Sequence, residues 1–190
     1  MSVLVWVGVD PGHKDTGIVL RHGPNLISHH IVSRTSSEDL YPGRGVGVGP
    51  LYLRAVVEQV ERFMTIGRAS ELTGTGGVQV AVEGLGRPSS HIGGKPMMLD
   101  PATLIGAGMV LGAVLSEWPD AVVVPPGKNG GNLLLTYPAA LVTPGEKRLG
   151  LNRPAGDSAD IRHCRSAWDI AGAGPGTLRV RDAAAAKKSA

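Results

Sequence analysis

The segment Val3-Leu-Val-Trp-Val-Gly-Val9 constrains the fold of this chain more than any other. It is apolar throughout and rich in β-branched residues, the pattern of a strand buried on both faces. Asp10-Pro11-Gly12 ends it, because Pro and Gly break the ladder. Thr16 to Arg21 resumes as a second strand and Leu26 to Ser33 as a third. The two intervals are short, which predicts an antiparallel meander rather than a crossover. A strand of this kind needs a core around it. The chain has 190 residues, 42% of them hydrophobic and 18% charged, enough for one folded domain. Aromatics are only 4%, so that core must be built from Val, Leu, Ala and Ile.

Beyond the meander, Arg34 to Pro50 is polar and rich in Gly and Pro, and reads as a loop. Leu51 to Ile66 carries Leu53, Val56, Val57, Val60, Phe63 and Met64 at helical spacing. Thr73 to Gly77 is a turn, and Val78 to Val82 is a short strand that ends at Glu83. Gly84 to Asp100 is a long loop. Asp100 then caps a helix over 102–117, with Pro101 at its first position. Ala121 to Val124 is a further strand, stopped by Pro125-Pro126-Gly127. Lys128 to Gly156 reads as irregular. Asp157 to Ala171 is the last helix, ended by Gly172-Ala-Gly-Pro-Gly176, and a basic, flexible tail over 177–190 is expected. The order β-β-β-α-β-α-β-α predicts an α/β fold, a mixed sheet with helices on both faces.

Gly (28) and Pro (14) are abundant, which fits many turns. The single Cys164 excludes an internal disulfide and a multi-cysteine zinc site, and its place on the apolar side of the last helix predicts a core role. The N-terminus lacks the basic flank of a signal peptide. The apolar run Ala102 to Leu115 is shorter than the about 18 residues of a membrane span. A soluble, cytoplasmic protein with no membrane partner is expected. Net charge is +3, but unevenly spread. Residues 147–190 are basic and residues 1–146 slightly acidic, a balance that suits a polyanionic partner such as nucleic acid.

Two carboxylates stand out. Asp10 ends the first strand and is followed by Gly and a hydroxyl, where it could hold a divalent cation or simply form an Asp-Pro-Gly turn. Glu83 ends the apolar Val80-Ala-Val82, where burial would be costly without a cation or donor nearby. The last helix adds Asp157, Asp160, His163 and Asp169. Asp160 and His163 share a helical face, although Asp157 and Asp160 also suit a helix N-terminus by capping and dipole.

Val7-Gly-Val-Asp-Pro-Gly-His-Lys-Asp-Thr-Gly17 resembles the opening strand of the RuvC Holliday-junction resolvases, within the RNase H-like superfamily. Val80-Ala-Val-Glu-Gly84 resembles their second acidic strand. His163-Cys-Arg-Ser-Ala-Trp-Asp-Ile-Ala171 resembles their last helix, where an Asp or His is followed three residues later by an Asp. The resemblance spans about residues 3–172, and its style is that of the bacteriophage-encoded members, which would place it in the host cytoplasm. It implies an RNase H-like mixed five-stranded sheet and a homodimer. It implies two Mg²⁺ or Mn²⁺ ions held by four acidic or His groups. Its activity would be hydrolysis of phosphodiesters in four-way or other branched DNA, leaving 5′-phosphates. Asp10 would bridge the metals, Glu83 would ligate one, and His163 would match the first helix position.

Ser166 departs from the pattern, standing where an acid is expected. Asp169, a turn later, fits best by the spacing of Ala167 and Ala171. Asp160, a turn earlier, and a register pairing Asp157 with Asp160 are the alternatives. The loop after Glu83 would meet the junction centre, with Met97 and Met98 where an aromatic is common. Lys95, Lys128, Lys147 and Arg148 are candidate phosphate contacts. The small-residue helix Ile105 to Ala113 is a candidate dimer seam or a buried internal helix. Three other readings compete. A binding-only resolvase relative would follow from Ser166, and an RNase H-like nuclease could act on RNA–DNA hybrids. An actin-like kinase also opens with an Asp-x-Gly strand but needs two such domains, more than this length allows.

Overall fold

A computed structural model describes residues 5–34, 47–69, 77–86, 91–92, 95–96, 100–127, 129–156 and 159–188. Met97, Met98, Lys128 and Asp157 lie outside the described residues. Strands β1 (Val5–Asp10), β2 (Asp15–His22) and β3 (Asn25–Ser33) form the expected antiparallel meander. Strands β4 (Val78–Glu83) and β7 (Val122–Val124) add in parallel on the other side of β1. The mixed sheet is five-stranded, in the order β3-β2-β1-β4-β7, so the all-apolar strand lies at its centre. The loop after Glu83 contains a small separate ribbon, β5 (His91–Ile92) against β6 (Lys95–Pro96), which its Gly/Pro composition did not reveal.

Alternation along the strands sorts the sheet into two faces. Val5, Val7, Val9, Ile18, Leu20, Val80 and Val82 face α1 (Pro50–Ala69) and α2 (Pro101–Glu117). Helix α1 buries Tyr52, Val56, Val60, Phe63 and Met64 there, close to the predicted stripe. Helix α2 begins as the sequence predicts, with Asp100 Oδ1 accepting from Ala102 N at 3.0 Å and Pro101 in the first turn. Its Gly106, Ala107, Val110 and Val114 are buried, whereas Ile105 is exposed.

The opposite face carries Trp6, Val19, Ala81, Val122 and Val124. Helix α4 (Ala159–Lys188) crosses it and touches all five strands. Two glycines let it approach. A β-carbon on Gly8 would overlap the Ala167 carbonyl, and one on Gly17 would overlap the His163 carbonyl.

The last helix does not stop at Gly172. It runs on to Lys188 with Pro175 inside it. The Gly-rich stretch that reads as a terminator is a packing surface. A β-carbon on Gly174 would come 2.6 Å from the Trp6 ring, and one on Gly172 would strike the Arg21 guanidinium. Gly costs about 1 kcal/mol and Pro about 3 kcal/mol in a helix interior, and tertiary packing can override both.

The segment from Asn129 to Gly156 is more ordered than its composition predicts. It holds two 3₁₀ turns (Leu134–Thr136 and Ala139–Leu141) and the short helix α3 (Pro144–Arg148). Leu134, Tyr137, Leu141 and Val142 pack with Val19, Cys164, Ala167 and Trp168. Thr143 and Glu146 form a capping box, and Glu146 Oε1 accepts from the fully buried Arg165 Nη1 at 2.8 Å. Arg165 Nη2 also donates to the Gly156 carbonyl at 3.0 Å, so one side chain binds both α3 and the end of this segment to α4. Cys164 is buried, and burial pushes its thiol up to about 12, which makes it inert core. Among the described residues, no helix is long and apolar enough to cross a membrane.

Candidate active site

Strand periodicity brings the first two site residues together. Asp10 and Glu83 each lie an odd number of positions from the α1-facing valines, so both turn towards α4. The parallel register pairs Val9 with Val82, which makes Asp10 and Glu83 the next neighbours at the carboxyl ends of adjacent strands. In open α/β sheets this end of the strands is where ligands bind.

Helix α4 supplies the third group. His163 Nδ1 lies 2.7 Å from Asp10 Oδ2, and the Asp10 side chain is only 12% exposed. The approach depends on Gly17, which pairs with Asp10 across β1 and β2 and lies under the His163 backbone. The hydrogen bond to Asp10 raises the His163 pKa above its ordinary value, partly opposed by burial. Glu83 is raised as well, first by burial and then by the neighbouring Asp10 charge. Two carboxylates and an imidazole therefore converge, with repulsion between the carboxylates. Oxygen and imidazole donors of this kind suit a hard divalent cation, which would relieve that repulsion. Among the described residues, however, no three or more His, Cys, Asp or Glu side chains stand in a ready-made metal cage. His163 pairs with Asp10, and Glu83 is held from another side.

That other side is the loop after β7. Asn129 Nδ2 donates to Glu83 Oε1 at 2.7 Å and Gly127 N to the same oxygen at 3.4 Å. Neither residue was singled out from the sequence. The signal was an Asn beside Gly130, five residues after the strand that ends at Val124.

Asp169 does not join the cluster through the oxygen whose bonds are seen. Its Oδ2 accepts from Gly130 N at 2.8 Å, Asn132 Nδ2 at 3.0 Å and the Tyr137 hydroxyl at 2.7 Å. Burial, reinforced by this bond to Asp169, drives the Tyr137 hydroxyl pKa upward. Asp160 is exposed in the first turn of α4. Ser166 is buried beneath Gly130, whose φ is +78° and whose added β-carbon would lie 3.4 Å from Ser166 Cβ. Lys147 and Arg148 are exposed on α3, and Lys95 lies in β6.

The sheet order, the helices on both faces and the paired strand-end carboxylates can be set beside solved structures. The chain aligns with T. thermophilus RuvC in complex with Holliday junction substrate at 19% identity and a TM-score of 0.50, over 92% of this chain and 96% of that one. The fold is that of RuvC. A second Thermus thermophilus RuvC structure aligns at 20% identity and a TM-score of 0.44, over 88% of this chain and 91% of that one. No protein-family model matches the chain. No curated protein matches it in sequence. On the RuvC fold, Asp10 and Glu83 occupy the ends of the central strand and its parallel neighbour, with His163 opposite them on the long helix.

Proposed function

We propose that this chain is a divalent-metal-dependent, structure-selective DNA endonuclease that resolves four-way junctions, a crossover junction endodeoxyribonuclease of bacteriophage type. The observation that carries this reading is the meeting of Asp10, Glu83 and His163 on a RuvC fold. Asp10, Glu83 and His163 would hold Mg²⁺ or Mn²⁺. When bound, such ions supply activation of water and charge stabilisation at the leaving 3′ oxygen of a phosphodiester. The chain's own groups do the rest. Asp10 fixes the imidazole through Nδ1, and the His163 side chain, 32% exposed, remains accessible for holding or moving a proton. Lys147 and Arg148 contribute positive charge for the DNA backbone without reading sequence. A homodimer would present two such sites to the symmetric strands of a junction, in the cytoplasm of the host cell.

One observation favours a second reading, that of a branched-DNA-binding protein with impaired catalysis. Ser166 stands where the resembled helix has an acid, and Gly130 covers it. Cleavage of a labelled four-way junction beside a matched linear duplex, with Mg²⁺, Mn²⁺ or EDTA, separates the two. Paired, metal-dependent nicks that spare the duplex establish the resolvase. A gel shift on the junction with no cleavage in either metal establishes the binder.

A further inference from the structure

Gly127, Asn129, Gly130 and Asn132, in the loop after β7, bond to two carboxylates on different elements. One end donates to Glu83 Oε1 through Gly127 N and Asn129 Nδ2. The other donates to Asp169 Oδ2 through Gly130 N and Asn132 Nδ2. The Tyr137 hydroxyl donates to the same Asp169 oxygen and accepts from Asn132 N at 3.1 Å, which closes the anchor. Glu83 needs this support. Its side chain is long and only partly buried at a strand end, beside the Asp10 carboxyl, whose charge and hydrogen bond help to raise its pKa. Both of these donors to Glu83 come from the loop.

We propose that Asn129 is a positioning residue that aims Glu83 at Asp10, and that Asp169 is the mooring of the strap carrying Asn129. The inference rests on the nuclease reading above and assigns Asp169 a role other than ligation. It also accounts for Ser166. The strap lies against α4 there, with a Gly130 β-carbon position 3.2 Å from Ser166 N and 3.1 Å from the Arg162 carbonyl, so a longer acid would displace it. An amide donor on a carboxylate fixes its rotamer and offsets its charge, the task of the outer partners that orient metal ligands.

The test uses the full chain and two readouts: Mn²⁺ binding without DNA by titration calorimetry, and kcat and KM on a four-way junction. Asn129→Asp keeps the side-chain shape and removes the donor. It and Asn129→Ala are expected to weaken Mn²⁺ binding and lower kcat by about 10- to 100-fold with KM unchanged. Asp169→Ala is expected to do the same, and the double variant Asn129→Ala/Asp169→Ala to be no worse than either single one, since both act through one strap. If Asp169→Ala fails to fold, judged by circular dichroism, Asn132→Ala loosens the same anchor. Asn129→Asp with both readouts unchanged overturns the proposal, as does an additive double variant. A wild-type chain that binds Mn²⁺ but cuts no branched DNA rejects the nuclease reading, and the Mn²⁺ affinities then decide the proposal alone. A wild-type chain that binds no Mn²⁺ overturns both.

Discussion

Gly17 and His163 are in backbone contact. A β-carbon on the glycine would fall on the carbonyl group of the histidine and lie 2.8 Å from the Cys164 nitrogen. This contact sets how low α4 sits on the sheet, and so whether the imidazole reaches Asp10. Gly17→Ala is expected to destabilise the protein by about 1–3 kcal/mol, the usual cost of overpacking. It should also reduce cleavage beyond what the lost stability explains, because the Asp10–His163 distance opens. Urea unfolding and junction cleavage at a temperature where both proteins are folded would check it. Wild-type values for both would mean that α4 does not rest on Gly17.

Asp10→Asn should abolish junction cleavage while leaving folding and junction binding intact. The substitution keeps shape and removes the charge that a divalent cation requires. Gel shifts in EDTA, cleavage in Mg²⁺ and in Mn²⁺, and a thermal melt together decide it. Cleavage at the wild-type rate would refute the assignment of Asp10. Chelation of the wild type with EDTA should reproduce the Asp10→Asn result.

Arg165 is fully buried and bonded to Glu146. Glu146→Gln should cost up to about 3–5 kcal/mol, because it removes the carboxylate charge bonded to the buried guanidinium. The pair Glu146→Leu with Arg165→Met should recover much of that loss, since apolar packing often replaces a buried ion pair at little cost. Denaturant midpoints for the two proteins test this. A single variant as stable as wild type would show that the segment from Thr143 to Gly156 is not held by this pair.

Pro175 lies within α4. Pro175→Ala restores a backbone donor and should stabilise the protein by up to about 3 kcal/mol. Gly174→Val should do the opposite, because its side chain would meet the Trp6 ring. An unchanged unfolding midpoint for Pro175→Ala would indicate that the helix ends before it.

Much of the fold is legible locally. The apolar run ending at Asp10, the short intervals after it and the stripe from Val56 to Met64 are patterns of period 2 or 3.6, and each survives as an element. The same period of 2 places Asp10 and Glu83 on one face once their strands are neighbours. The Asp100 cap is equally local, since an N-cap needs only its own first turn.

The rest depends on contacts between distant parts of the chain. Nothing near Asp169 reveals that its carboxylate is claimed by Gly130, Asn132 and Tyr137, more than thirty residues earlier in the chain. The Gly172–Gly176 run looks like a stop because glycine and proline are poor helix formers, yet Trp6 and Arg21 need the space that only glycine leaves. Sequence alone therefore determined the strands of the main sheet, the helix stripe, the Asp100 cap and the two strand-end carboxylates, because local periodicity and capping decide those. Tertiary structure decided what the Asp169 carboxylate bonds to, where the last helix ends and what holds Glu83, because each is settled by which distant backbone or side chain comes within hydrogen-bond or van der Waals reach.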